Sequence, residues 1–288
     1  AVEDLDLVKG ARLMRDEVYL VARQESINLD HGSFHANAKS SSGRNDLQVR
    51  LIADRNIYYD FINSTGERKL YNEITSHSFH SFLKMGTPLN QLRYALGDYV
   101  MSDDEIRTVS RIRPLVYDKL GNPLVSDRIN QGIVLTVDLN GAHSGSDIIG
   151  YRAKKSGTPL LDLQKIQGHP VHDFFDVIMA STEITLEPGY FYLLSSSEAL
   201  SFPPTIAGRL KEFDHRVGNF TSHYAGFFDP GFGYFLPGER QGNTVTLEVR
   251  VHNNPEIIRD GQPIAVMQLE RMSGVPLAIY GEDKLSNY

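Results

Sequence analysis

The sequence predicts an all-β protein with few short helices, built from two tandem copies of one β-domain. Three observations carry that expectation. Short runs rich in β-branched and aromatic residues recur between Gly, Pro, Asn and Asp. Helical periodicity is scarce. A set of landmarks recurs along the chain at a nearly constant spacing.

In chain order, the strand-like runs are Glu17-Val18-Tyr19-Leu20-Val21, Leu47-Gln48-Val49-Arg50-Leu51-Ile52, Gly132-Ile133-Val134-Leu135-Thr136-Val137, Tyr190-Phe191-Tyr192-Leu193-Leu194 and Thr244 to Val251. Ser102-Asp103-Asp104-Glu105-Ile106 reads instead as an N-cap followed by an acidic first turn, so a helix is expected to start there. The repeat rests on four landmarks. Glu25 in Glu25-Ser26-Ile27-Asn28-Leu29 matches Glu198 in Glu198-Ala199-Leu200-Ser201-Phe202, an offset of 173 (198 minus 25). Arg44 matches Arg216 at 172 (216 minus 44), and Glu73 matches Glu248 at 175 (248 minus 73). Gly86-Thr87-Pro88-Leu89 matches Gly261-Gln262-Pro263-Ile264, again at 175 (261 minus 86). The division falls near residue 97, giving a first domain over 1–97 and, over 98–288, a helical connector and a second, complete domain. The second copy has an extra leading segment, roughly 110 to 185, with a strand near Ile133 to Leu139. The first copy has no counterpart, so its front looks truncated, and uncovered sheet edges call for partners.

Composition bounds the function. The chain has 288 residues, with 29 Lys+Arg against 36 Asp+Glu for a formal charge of −7, and no cysteine. Zero cysteine excludes disulfide scaffolds, thiolate metal sites and cysteine nucleophiles, and points to a reducing compartment such as the cytoplasm. The acidic balance argues against a general nucleic-acid binder, while leaving room for a local basic pocket. No apolar run approaches a membrane span. The opening Ala1-Val2-Glu3-Asp4 does not read as a secretory signal, and a chain starting without Met is expected to lack its native start.

Several chemistries lack their motifs. The sequence has neither a GxxxxGK[ST] loop nor a strand–GxGxxG–helix unit, and no HxE with PCxxC for zinc-dependent nucleobase deamination. His77-Ser78-Phe79-His80 and His169-Pro170-Val171-His172 have metal-compatible spacing but read as ordinary surface histidines. Ser40-Ser41-Ser42-Gly43-Arg44 differs. Three hydroxyls and a glycine beside a guanidinium form a compact anion cradle, although in isolation a polar loop is the plainer reading. In the second copy, Ala225-Gly226-Phe227-Phe228-Asp229-Pro230-Gly231-Phe232-Gly233 contains a turn, and Glu248 follows it. A carboxylate kept at one position in both copies is the best general-base candidate.

These segments, together with Gly261-Gln262-Pro263-Ile264 and the tail from Tyr280 to Tyr288, resemble the dCTP deaminase branch of the dUTPase-like β-fold, in its tandem-domain bacterial form. The resemblance covers nearly the whole chain and implies two dUTPase-like β-barrel or jelly-roll domains. It implies a catalytic set of Glu248 as proton shuttle, Ser40, Arg44 and Ala225. It places Ser41, Ser42, Arg216, Asp229, Phe232, Tyr280, Lys284 and Tyr288 around the nucleotide. It also implies deamination of dCTP to dUTP and ammonia with no catalytic metal, Mg2+ arriving with the triphosphate, and a homo-oligomer of trimeric kind.

The two copies depart from that pattern in complementary ways. The first keeps the Ser-Ser-Ser-Gly-Arg segment but lacks the long turn. The second keeps the turn and Glu248, but Glu212-Phe213-Asp214-His215 precede Arg216, and two acids there would repel a triphosphate. A composite site follows: Ser40, Ser41 and Arg44 from the first copy, and Ala225, Asp229 and Glu248 from the second. Glu73 is then a relic or the base of a second kind of site. Two rivals stand beside this reading. One is a dUTP pyrophosphatase of the same fold, disfavoured because Phe232 stands where its G-x-x-D-x-x-Y hairpin has Tyr. The other is an inactive nucleotide-binding homologue.

Overall fold

The computed structural model describes residues 5–63, 65–124, 128–142, 145–211, 220–222, 226–234 and 242–278. The chain forms two compact units, Ala1–Asp98 with Ala153–Phe175, and Tyr99–Arg152 with Asp176–Tyr288. Residues 1–98 supply β1 (Ala11–Leu13), β2 (Val18–Leu29), β3 (Ser33–Ala38), the one-turn α1 (Ser40–Arg44), β4 (Leu47–Ala53), β5 (Phe61–Ile62), β6 (Gly66–Ser76), β7 (Ser81–Leu83) and β8 (Asn90–Ala95). Next come α2 (Asp103–Ile112), β9 (Val116–Tyr117), β10 (Ile133–Thr136), β11 (Ile148–Ala153), β12 (Leu161–Asp162), α3 (Val171–Phe174), β13 (Phe175–Met179) and β14 (Glu183–Leu186). The chain closes with β15 (Tyr192–Leu200), β16 (Ile206–Leu210), β17 (Phe220–Ser222), β18 (Phe227–Phe228), β19 (Asn243–Val251), β20 (Glu256–Arg259) and β21 (Pro263–Arg271). The mainly-β expectation holds, and each strand-like run lies within or overlaps a strand.

In the first unit, two sheets of order β2-β6-β4 and β5-β3-β8 face each other across Ile27, Ala36, Leu51, Ile62 and Leu70. Strand β4 shows why: Leu47, Val49, Leu51 and Ala53 are buried at every second position, the period of a half-buried strand. A third sheet, β1-β7-β12, brings in the later segment. The sequence boundary near residue 97 assigns all of 98–288 to the second copy, yet Ala153–Phe175 packs with the first unit. Strand β12 pairs in parallel with β7, and the buried Phe79 ring lies 5.1 Å from Phe174 and 5.4 Å from Phe175. Apolar contact across distant chain positions decides that membership, and no local signal encodes it.

The second unit has sheets of order β10-β21-β16-β18 and β13-β11-β15-β19-β17, with β14-β20 beside them. Its core includes Leu135, Phe202, Leu247, Val249 and Met267. Helix α2 starts where the cap signal placed it. The Ser102 hydroxyl accepts from Glu105 N, the Glu105 carboxylate accepts from Ser102 N at 2.8 Å, and Ile106 enters the core.

Strand registers reproduce the repeat. Leu20 pairs with Glu73 as Leu193 pairs with Glu248, and Tyr19 with Ile74 as Tyr192 with Val249. Both ladders then break at one place, between Ala22 and Ser26 and between Ser195 and Ala199, and resume as Ser26↔Lys69 and Ala199↔Thr244. A shared bulge in a shared register is a strong sign of two copies of one framework. The copies differ at their edges. In the second unit β10 pairs with β21, and β11 and β9 pair with β15. The matching strands of the first unit, β8 and β2, each have one neighbour among the described residues.

Candidate functional site

Strand β19 positions the principal carboxylate. Val245, Leu247, Val249 and Val251 point into the core at 0 to 1 % exposure, which sends Glu248 to the opposite face of the sheet. Glu248 is nevertheless only 4 % exposed. A carboxylate off the core face yet removed from bulk water has the partial burial that a general base requires. The turn before it is built on β18, which pairs Gly208↔Phe228 and Arg209↔Phe227 with β16. Phe232 N then donates to Asp229 O at 3.1 Å and Tyr234 N to Gly231 O at 3.0 Å. Gly231 and Gly233 take positive φ of 84° and 62°. At Gly233 a Cβ would come within 2.0 Å of Leu200 O, so the turn requires glycine there.

The two flanking residues have different surroundings. Asp229 is exposed. Phe232 is buried, its ring 4.9 Å from Phe228 and 6.2 Å from Phe202, and its carbonyl accepts from Phe202 N at 2.8 Å. It anchors the turn to the core.

In the first unit, Ser40-Ser41-Ser42-Gly43-Arg44 forms α1. Ser42 N and Gly43 N donate to Lys39 O at 2.8 and 3.0 Å. The buried Ser42 hydroxyl donates to Leu89 O at 2.9 Å, which ties α1 to the last residue of the Gly-Thr-Pro-Leu landmark, just before β8. Ser41 is exposed, while Ser40 and Arg44 are half-buried, so these three face outward. Below them Asp46 is fully buried, accepting from Ser78 Oγ at 2.6 Å on its carboxylate and from His77 N at 3.0 Å on its carbonyl. Ala225, Arg216, Tyr280, Lys284 and Tyr288 lie outside the described residues.

Glu73 occupies the register position of Glu248 but has different neighbours. Arg50, directly across on β4, donates to Glu73 Oε1 from Nε at 3.0 Å and Nη2 at 2.5 Å. The Tyr59 hydroxyl donates to Oε2 at 3.3 Å, and the Arg50 guanidinium carbon lies 4.1 Å from the Tyr59 ring centroid. Arg50 and Tyr59 carry no motif. The readable signal was a cation on the strand that pairs with the Glu73 strand. One histidine of each pair makes a structural bond: Arg15 N donates to His80 Nδ1 at 3.0 Å, and Asp162 N to His169 Nε2 at 3.1 Å. Among the described residues no three His, Asp or Glu side chains gather as a metal-binding group.

With this geometry in view, similarity to known proteins decides the family. The family model for the 2'-deoxycytidine 5'-triphosphate deaminase N-terminal domain matches residues 1–98, and that for its C-terminal domain matches residues 102–288. The chain belongs to the dCTP deaminase family. The crystal structure of 2'-deoxycytidine 5'-triphosphate deaminase from Agrobacterium tumefaciens superposes with a TM-score of 0.85 at 34% identity, covering 96% of this chain and 80% of that one. A curated relative from Corynebacterium glutamicum, named "dCTP deaminase, dUMP-forming", is 35% identical over 105 residues, 35% of this chain and 51% of the relative. One of the same name from Leifsonia xyli is 34% identical over 115 residues, 39% of this chain and 53% of the relative. The chain spans about half the length of the curated relatives it matches.

Proposed function

We propose that the chain hydrolyses the 4-amino group of dCTP, with Glu248 moving the protons. The observation that carries this reading is the buried Glu248 carboxylate in mid-strand, after a glycine-dependent turn, in a chain of the deaminase family. Water adds to C4 of cytosine as Glu248 takes a proton from it and delivers one to N3. The tetrahedral centre collapses as the amine leaves with a second proton, giving ammonia and a uracil nucleotide. Ala225 carries over from the family resemblance as the residue beside the base, while Ser40, Ser41 and Arg44 supply hydroxyl donors and a guanidinium for water and phosphate. These residues belong to different copies of the repeat, so the proposed site is composite. Mg2+ accompanies the triphosphate as part of the substrate. A homo-oligomer of trimeric kind and a cytoplasmic setting complete the proposal.

The product is the finer question. Deamination alone gives dUTP, whereas the names of the curated relatives, dUMP-forming, favour a further release of pyrophosphate. Incubation with dCTP and, separately, with dUTP, measuring ammonia and pyrophosphate and separating nucleotides by anion exchange, tests all readings. Ammonia with dUTP, or with dUMP and pyrophosphate, supports deamination and identifies the product. Pyrophosphate from dUTP with no ammonia from dCTP would make the chain a dUTP pyrophosphatase, and binding without turnover an inactive homologue. Glu248→Gln should lower ammonia release at least ~100-fold with dCTP binding kept. Near-normal turnover in that variant removes Glu248 as the base. Arg44→Ala should also be inactive. If Arg44 and Glu248 meet between chains, mixing the two variants under subunit exchange restores part of the activity. If they meet within one chain, mixing restores none.

A further inference from the structure

We infer that the first unit's copy of the site is closed by its own chain, Arg50 and Tyr59 holding the Glu73 carboxylate, so that each polypeptide works through a single carboxylate, Glu248. The inference rests on the deaminase reading above for what Glu248 does, and on strand geometry for what Glu73 does.

Glu73 and Glu248 are the same position of the repeat. Each lies opposite the matching leucine of the neighbouring strand (Leu20 and Leu193), two ladder positions before the last pair that precedes the matching bulge. A proton shuttle needs carboxylate oxygens that can turn to water and substrate. In Glu73 both oxygens are engaged, Oε1 by two nitrogens of Arg50 and Oε2 by the Tyr59 hydroxyl. A guanidinium that donates through two nitrogens to one oxygen fixes the orientation of that carboxylate. The Tyr59 ring stacked on the guanidinium covers the same group.

The loop that delivers Tyr59 is built for the purpose. Between β4 and β5 the chain turns through positive φ at Arg55 (56°) and Asp60 (57°), a conformation that side-chain-bearing residues adopt only when held. Leu51 N donates to Asp60 Oδ1 at 2.7 Å, and Asn56 Nδ2 donates to the carbonyls of Tyr58 at 2.7 Å and Phe61 at 2.9 Å. Loop, ring and guanidinium therefore form one clamp over the carboxylate. In the first copy this framework position has exchanged proton transfer for loop anchoring.

Two measurements test this. Equilibrium dialysis of dCTP against Glu248→Gln, which should bind without turnover, is expected to give one nucleotide per chain. Two per chain would overturn the inference, whereas no binding would remove the deaminase reading and leave the clamp to the second measurement. There, trypsin cleavage after Arg55 is followed in wild type, Arg50→Gln and Tyr59→Ala. Releasing a charge-assisted bond should raise the loop's open population, and so the cleavage rate, at least about tenfold in Arg50→Gln. Ammonia release per chain should stay within about twofold of wild type in both variants. Unchanged cleavage, or a tenfold fall in turnover with the fold intact by circular dichroism, would refute the assignment.

Discussion

Glu25 and Glu198 share one position of the repeat, and replacing each by alanine should separate framework from environment. Both sit in the β-bulge, but Glu198 is 1 % exposed while the Glu25 side chain is 65 % exposed. Glu198 accepts from Thr136 N at 2.8 Å and Thr136 Oγ1 at 2.7 Å, with Arg128 Nη2 at 3.5 Å. Glu198→Ala strands the buried Thr136 N–H and hydroxyl, each a bond to a charged acceptor worth about 1.5–3 kcal/mol. Arg128 is partly exposed and can turn to water, so the total loss should be about 3–5 kcal/mol, the range for breaking a buried pair from one side. For a unit of this size that lowers the melting temperature by roughly 10 °C. At Glu25 the carboxyl is held below its ordinary value by its bond to Arg23, mostly in solvent. Glu25→Ala should therefore fall within about 0.5 kcal/mol of wild type, or about 1–2 °C. Scanning calorimetry of the two variants compares them directly. Equal shifts would refute the claim that β10, which carries Thr136, turns an exposed bulge carboxylate into a structural one.

Other expectations are independent of that pair. The Glu105 carboxyl is lowered from 4.5 to about 2, first by its bond to Arg271 and then by Ser102 N and Oγ. A depressed carboxyl contributes above its unfolded value and loses the contribution as pH falls through about 2. Amide exchange of α2 followed from pH 5 to 2 should thus lose less protection in Glu105→Gln than in wild type, and identical profiles would count against the capping box as an acid-sensitive element. Gly233→Ala forces a Cβ to 2.0 Å from Leu200 O at a φ of 62°. It should lower both melting temperature and ammonia release, and an unchanged melt would show that the turn relaxes freely.

Much of the framework was legible because it depends on short-range chemistry. The Ser102 cap is a local donor–acceptor arrangement, and it closes as the capping box with Glu105. The run from Leu47 to Ile52 alternates, and the strand buries Leu47, Val49 and Leu51. The Glu25/Glu198 and Glu73/Glu248 landmarks are fixed by register, which the ladders reproduce. What the sequence left hidden depends on distant partners. Nothing near Leu161 announces that it will pair with Ser81. Nothing near Glu73 says whether its carboxylate will meet water or Arg50. Ser42 reads as one of three equivalent hydroxyls, and only packing against Leu89 separates it from Ser40 and Ser41.

A strand that the second copy has, and that the first lacks among the described residues, explains why equal positions hold unlike residues. In the second unit β10 pairs with β21. The chain then reaches β15 through a bridge between Val137 and Ser196 and a bond from Asp138 N to Ser195 O at 2.9 Å, closing the gap between the two sheets. Behind that cover Leu247 and Met267 can be fully apolar. In the first unit the register places Asn72 where the second has Leu247. Asn90, paired with Ala38, stands where Met267 pairs with Leu210, as the following bonds from Lys39 N to Leu89 O and from Lys211 N to Val266 O show; the offset here is 177 (267 minus 90), two more than the 175 read from the Gly86/Gly261 landmark. Asn90 Nδ2 donates to Asn72 Oδ1 at 3.0 Å, and Arg23 from the bulge donates to Asn90 Oδ1. Side-chain hydrogen bonds thus span the gap that a strand spans in the other copy. Apolar residues there would face an uncovered edge, with Leu92 and Tyr94 already exposed on β8. Amides bonded to one another and to a guanidinium satisfy their polar groups whether or not the edge is covered. The strand absent from the described residues of the first copy therefore accounts for the exposed Glu25 and for the bonded Asn72 and Asn90 side chains at that edge.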